Sequence, residues 1–420
     1  MKERRTNSAE RIHGKGKKSK ALAFSFILCT LIAVMTSAVY AQGVLLLAKK
    51  VSGDLPLDVT DNIWESASPM EIPLSPQIVT VPMIDESSIT RAHVSAIHNS
   101  KDIAFLIEWE DKTKDEDLDL DRFTDAVALE FPSLSDQAKP NFAMGDREGP
   151  VNIWYWSAAR DTSGKGPGQE ATTNETGEYT PNFQTDEDHL FIDEFQPGVL
   201  AGNPVSRPRL SPVENIVAQG FGSATNMDRS RSQKIDGTGR WEANKWKVVL
   251  KRQLLSESEL DADFREGEAT PISLAVWNGS EGHAGGKKVF STWYYVGIET
   301  EERGQAYFSA WEASKRIALT PDLDPNQLAD AGKEIFKNAG CGLCHSVTGE
   351  TLTGPDLSRI GAESDVETMA LFLYSGTDVM PPANNPPAKL TDAEITAVIA
   401  YLESLGGRPK VRIGDIEPPE

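Results

Sequence analysis

From residue 44 to about residue 310, apolar positions recur in short runs between turn-rich stretches: Ile103 to Trp109, Ala126 to Phe131, Val151 to Trp156, Trp246 to Leu254, Ile272 to Trp277 and Ser291 to Ile298. These runs are rich in Val, Ile, Trp, Tyr and Phe and are too short for helices, so each reads as a strand. Their spacing predicts an antiparallel β-sandwich. The polar, Gly- and Thr-rich stretch from Thr162 to Asp188 reads as a long surface insertion. Past residue 325 the period changes. Asp330 to Asn338 predicts a helix with Gly332 and Phe336 on one face, and Val366 to Leu373 a second apolar helix. Asp392 to Leu405 predicts an amphipathic third, opened by a Thr391/Glu394 capping box. The expected fold is a mainly β domain over 44–311 and a small all-α domain over 326–408. A linker over 312–325, carrying Pro321 and Pro325, separates them, and an acidic tail follows over 409–420.

The N-terminus reads as a targeting segment. Eight basic residues precede or flank an uncharged run from Ala21 to Ala41, and Val39-Tyr40-Ala41 has the small-residue pattern of a signal-peptidase site. Residues 1–41 are thus expected to be a signal peptide or, if retained, a membrane anchor. The reading implies export, to the periplasm or a membrane-associated position facing it. The leader carries eight basic and two acidic residues against a chain charge of −21, which puts the remainder near −27. Such acidity argues against nucleic-acid binding and suits either solubility or steering of a basic redox partner.

The chemistry is concentrated in Cys341-Gly342-Leu343-Cys344-His345. C-x-x-C-H is the signature of covalent c-type haem attachment, with Cys341 and Cys344 joined to the haem vinyl groups and His345 as an iron ligand. The only other cysteine, Cys29, lies in the leader, so a four-ligand zinc site lacks its second pair. Thr353-Gly354-Pro355-Asp356-Leu357 can wrap the haem edge. Met380, held out of any helix by Pro381 and Pro382, is the expected sixth ligand of the haem c iron. Residues 326–407 resemble a single-haem class I cytochrome c domain.

The β region shows no hydrolytic, P-loop or dinucleotide motif, so no catalytic residue is assigned. Outside the leader and the haem motif only His93, His98, His189 and His283 remain, with no helical i, i+4 pair. The acidic run Asp115 to Asp121 lacks the Gly and Glu of a calcium loop and reads as a solvated hairpin loop. What stands out is aromatic. Phe142-Ala143-Met144 runs into Val151-Asn152-Ile153-Trp154-Tyr155-Trp156. Later, Ala275-Val276-Trp277 leads through Gly285-Gly286-Lys287-Lys288 into Thr292-Trp293-Tyr294.

Together with Ala218 to Gly222 and Trp246 to Arg252, these segments resemble, in order, the haem-b-binding γ subunits of ethylbenzene dehydrogenase, dimethyl sulfide dehydrogenase and related exported molybdoenzymes. The resemblance implies a non-covalent haem b whose iron is held by one Met and one Lys within a β-sandwich. It carries the Met onto Met144 and the Lys onto Lys288, with adjacent Lys287 as the alternative. Such a Lys must be neutral to bind iron, which desolvation favours. Most such γ subunits lack the C-terminal cytochrome; the fusion is similar to the γ subunit of nitrite oxidoreductase or nitrate reductase-like complexes. The resemblance implies a di-haem electron-transfer subunit without bond chemistry of its own. Its partners would be a molybdenum catalytic subunit, an iron–sulfur subunit and a soluble cytochrome. The alternative is a stand-alone c-type cytochrome whose β domain binds a ligand or docks.

Overall fold

The computed structural model describes residues 45–117, 121–133, 140–146, 149–161, 211–227, 234–315, 318–350, 352–377, 380–385 and 388–418. The leader, His189 and the insertion expected over Thr162–Asp188 lie outside these, as do residues 118–120 of the acidic run. No helix among the described residues is long and apolar enough to cross a membrane.

The strands are β1 Leu45–Lys50, β2 Met70–Pro73, β3 Ser75–Pro76, β4 Arg91–His98, β5 Asp102–Glu110, β6 Ala126–Pro132, β7 Val151–Ser157, β8 Val213–Ala218, β9 Thr225–Asn226, β10 Asp236–Glu242, β11 Lys245–Gln253, β12 Ala269–Trp277, β13 Val289–Phe290 and β14 Tyr294–Ile298. They form two sheets that share β12. Its first half pairs with β14 in the order β10-β11-β5-β4-β1-β14, and its second half pairs with β6 in the order β6-β7-β8-β9. The inner faces pack against each other through Phe105, Phe131, Trp154 and Phe264, whose ring centroids lie 5.0–6.1 Å apart.

Every expected run contains a strand, though residues 291–293 of the last lie between β13 and β14, and nearly all pairings are antiparallel. The exception is β1, which runs parallel to both β4 and β14. Tight hairpins force antiparallel neighbours, but β1 reaches its two neighbours through long connections, so nothing fixes its direction that way.

The helical region follows a helix α1, Gln305–Lys315, which covers the start of the stretch expected as linker. Helix α2 spans Pro325–Asn338, five residues earlier than its apolar period suggests, because an Asp324/Gln327 capping box with Pro325 at the first turn sets its start. A short α3, Ile360–Glu363, and α4, Val366–Ser375, lead to α5, Asp392–Ser404, which carries the Thr391/Glu394 box. Gly332 lets the α2 backbone lie directly on the Ala397 carbonyl of α5, where any Cβ would collide. One turn on, the Phe336 and Tyr401 rings meet edge-on at 5.4 Å. The start of the tail is tied down: Val411 is buried, and the Lys410 and Val411 amides donate to the Glu403 carboxylate.

Candidate functional site

Strand alternation gives the second sheet two different faces. Val127, Leu129 and Phe131 of β6, Trp154 and Trp156 of β7, and Leu274 and Val276 of β12 point into the sandwich core. Their neighbours Ala128, Glu130, Ile153, Tyr155, Ala275 and Trp277 point the other way and line a cavity of about 540 Å³. The cavity therefore lies on the outer face of the second sheet, not between the sheets. The alanines of β6 and β12 leave the room; loops around 142–144, 221–224 and 283–288 complete the walls.

Two loops bring the donors in. In the first, Met144 has φ 71°, an uncommon conformation for a side chain with a Cβ. It is held there by three backbone contacts. Its N–H donates to Glu130 Oε2 at 3.2 Å, its carbonyl accepts from the Gly220 N–H at 2.7 Å, and the following Gly145 N–H donates to the Asn141 carbonyl at 3.0 Å. In the second loop Lys288 enters β13. Its carbonyl accepts from the Gln77 N–H at 3.0 Å, while the buried Gln77 amide donates to the Gly286 carbonyl at 3.0 Å. The Trp277 indole N–H holds the Gly285 carbonyl at 3.0 Å.

The result is that Lys288 Nζ meets Met144 Sδ at 3.1 Å inside the cavity. Lys288 is 5 % exposed and lies 5.2 Å from the Trp277 ring centroid and 5.9 Å from that of Phe221. Lys287 is partly exposed and does not line the cavity. Burial lowers the pKa of the Lys288 amine, and the Glu130 carboxylate opposes that shift. Burial pushes Glu130 up to about 8, with Lys288 and the Met144 N–H pulling it back. Burial thus favours the neutral amine, the form with a lone pair to give a metal. A soft thioether and a neutral amine in an apolar, aromatic-walled cavity could hold a metal-centred planar cofactor.

The second constellation is local. The left-handed Gly340 (φ 81°) ends α2 and opens a single 3₁₀ turn over Cys341–Leu343, and the His345 N–H donates to the Cys341 carbonyl at 3.0 Å. The two cysteines are not joined to each other; burial pushes the Cys341 thiol up to about 12 and raises that of Cys344. The turn at Thr353–Pro355 closes over the motif. The Gly354 N–H donates to the Cys344 carbonyl at 2.7 Å, and His345 Nδ1 lies 2.9 Å from the Pro355 carbonyl. That contact fixes the proton on Nδ1 and leaves Nε2 free for a metal. Met380 is set by two reciprocal bonds with Thr377: its N–H donates to Thr377 Oγ1 at 2.9 Å, and its carbonyl accepts from the Thr377 N–H at 2.8 Å.

The two constellations adjoin. Phe142, which lines the cavity and lies 5.8 Å from the Phe290 ring, also faces Gly340, where a Cβ would come within 2.5 Å of its ring. Leu343, between the two cysteines, packs against the same apolar cluster as Phe142, Phe290 and Trp277. Thr353 Oγ1 donates to the Val79 carbonyl at 2.6 Å.

The other sequence candidates have ordinary roles. His98 Nδ1 accepts from the Ser100 N–H, His283 Nδ1 accepts from the Asn278 N–H, and His93 is paired with Glu71. Among the described residues no three His, Cys, Asp or Glu side chains group as a metal site. The residue that sequence reasoning missed is Glu130. Its signal was present: a lone carboxylate at an every-second position of the otherwise apolar Ala126–Phe131 strand.

Residues 61–289 match the ethylbenzene dehydrogenase family and residues 329–406 the cytochrome c family. The chain is 22% identical to a candidate respiratory nitrate reductase heme subunit, ORF7, of Haloferax mediterranei, over 70% of this chain and 90% of that protein. It is 25% identical to the dimethylsulfide dehydrogenase subunit gamma of Rhodovulum sulfidophilum, over 57% of this chain and 75% of the relative. The helical region is 32% identical to cytochrome c-551 of Stutzerimonas stutzeri, over 19% of this chain and 80% of that protein. A family 9 carbohydrate-binding module of Caldicellulosiruptor kristjanssonii, solved with glucose, overlaps 62% of this chain and 98% of its own. Its TM-score is 0.29 at 6% identity, too low to bear on fold or ligand.

Proposed function

The chain belongs to the ethylbenzene dehydrogenase family, joined here to a cytochrome c domain, and from that premise we propose that it is the di-haem electron-transfer subunit of an exported molybdoenzyme complex. In this reading it relays electrons between an iron–sulfur subunit and a soluble cytochrome. The enzyme it serves is of the nitrite oxidoreductase or nitrate reductase type, in keeping with the named haem subunit among its relatives. The substrate is turned over on a separate molybdenum subunit. Export follows from the leader and from the site of c-type haem attachment.

The observation that carries the reading is the meeting of Met144 Sδ and Lys288 Nζ at 3.1 Å in an apolar cavity beside the C-x-x-C-H loop. When bound, each haem supplies a one-electron ferric/ferrous couple. The protein supplies the rest. Met144 and Lys288 hold the b-type iron, burial favouring the neutral form of the Lys288 amine. Cys341 and Cys344 anchor the c-type haem, and His345 Nε2, oriented through Pro355, and Met380 are its iron ligands. Met/His ligation raises a haem's potential, which suits this end of the chain to handing electrons to a soluble acceptor.

The test is purification of the tagged chain from its host under native conditions. The expected preparation contains molybdenum and iron–sulfur clusters, and its b and c absorption bands respond to added nitrite or nitrate. A chain that purifies alone, with haem bands indifferent to both anions, contradicts the proposed complex.

A further inference from the structure

Glu130 is 7 % exposed, projects from the middle of β6 into the cavity, and contacts the Met144 backbone. One carboxylate oxygen accepts the Met144 N–H at 3.2 Å and so helps hold that residue in its left-handed conformation. The other, Oε1, is buried with no hydrogen-bond partner in the structure. A buried acceptor without a partner is costly, so its persistence in a site calls for a group that satisfies it. Lys288, which lines the same cavity, can supply that group. An amine that gives its lone pair to a metal still carries N–H hydrogens, and in a cavity this dry they need an acceptor within the protein. Glu130 and Lys288 line the same cavity, and each is the charge that acts on the other.

We propose that Glu130 is the positioning residue of the cavity, fixing Met144 through its backbone and orienting the Lys288 amine through the free oxygen. The proposal rests on the b-haem reading above. Glu130 does not touch the iron in this account; it acts through the two donors, as outer partners of metal ligands do. A carboxylate is needed only as a double acceptor of the right length.

The experiment uses the full chain, purified with its c-type haem, in the variants Glu130→Gln and Glu130→Leu. Both preserve approximate size; only the first keeps an oxygen acceptor. The readouts are the b-haem content, the low-spin six-coordinate spectrum of the b-haem, and its affinity on reconstitution. The c-haem spectrum and circular dichroism report folding. E130L is expected to lose the six-coordinate spectrum and to weaken haem binding by about 10-fold or more. E130Q, which offers one acceptor oxygen in place of two, is expected to lose less of the spectrum and affinity than E130L. Should E130L not fold, E130D, whose carboxylate is one methylene short of the Met144 N–H, is expected to show the same spectral loss. If E130L, or E130D in its place, binds haem with the unaltered spectrum and affinity, Glu130 is packing and the proposal is wrong; if E130Q fails as fully as E130L, the site needs the charge and not the acceptor geometry, and the positioning role is wrong. A wild-type protein that takes up no b-type haem overturns the b-haem reading itself, and the Glu130 assignment with it.

Discussion

The C-x-x-C-H loop keeps three of its four functional side chains within five consecutive residues, with Met380 thirty-five positions on, whereas the cavity on the second sheet draws Met144 and Lys288 from segments 144 residues apart. The first is held by a 3₁₀ turn, a covering loop and two bonds to Thr377. The second exists only because β6, β7, β12 and β13 are paired in a particular order, with Ala128, Glu130, Tyr155 and Trp277 on the cavity face and Val127, Leu129, Trp154 and Val276 on the core face. A local site survives changes in its scaffold. A site assembled across a sheet is as specific as the topology that builds it.

Crosswise substitution gives the largest effects. Replacing both Cys341 and Cys344 with Ala should abolish covalent haem while leaving extractable b-type haem in place. Met144→Ala or Lys288→Ala should do the reverse, and Lys287→Ala should change neither. Haem content before and after acid–acetone extraction reads all four. Loss of b-type haem in K287A with retention in K288A would reassign the ligand to the neighbouring residue.

The junction offers an intermediate effect. Gly340 combines φ 81° with a ring of the cavity wall where its Cβ would be. Gly340→Ala should destabilise the protein by about 1–3 kcal/mol, from the disfavoured conformation and the displaced Phe142 together. It should disturb the b-type spectrum as well as the c-type. Thermal unfolding with both haem bands followed separately would show whether the disturbance crosses the junction.

The smallest effects are electrostatic, and they run in opposite directions in the two regions. Burial and the neighbouring Asp111 push Asp125 up to about 7, although its carboxylate accepts from the Asp115 and Gly279 amides and the Trp246 indole. Between about pH 4 and pH 7 the folded β region therefore holds a proton that the unfolded chain releases. This contribution is full below the unfolded value and is lost as pH rises, by at most about 1.4 kcal/mol per pH unit. Asp365, capping α4, is lowered by its hydrogen bonds to Thr368, so its contribution is present above the ordinary Asp range and is lost on acidification. Melting curves from pH 4 to 8 should show the β region weakening as pH rises, and Asp125→Asn should flatten that trend.

These contrasts explain what could be read from the chain beforehand. The runs at 103–109, 126–131, 151–156, 246–254 and 272–277 carry their own period and appear as strands. So do the helices ending in Asn338 and opened by Thr391. What periodicity cannot carry is non-local. The sharing of β12 between two sheets, the parallel placement of β1 and the location of the cavity outside the sandwich all depend on which strands meet. Likewise, the resemblance could put forward Met144 and a lysine. The burial of Lys288 beside a partly exposed Lys287, and the contact of Glu130 with the Met144 backbone, come from the fold.

The most direct measurement is a pyridine haemochrome spectrum of the purified protein, taken before and after acid–acetone extraction. The account predicts one extractable b-type and one covalent c-type haem per chain. A single covalent haem, even after haem supplementation during expression, would contradict it and leave the cavity to another ligand.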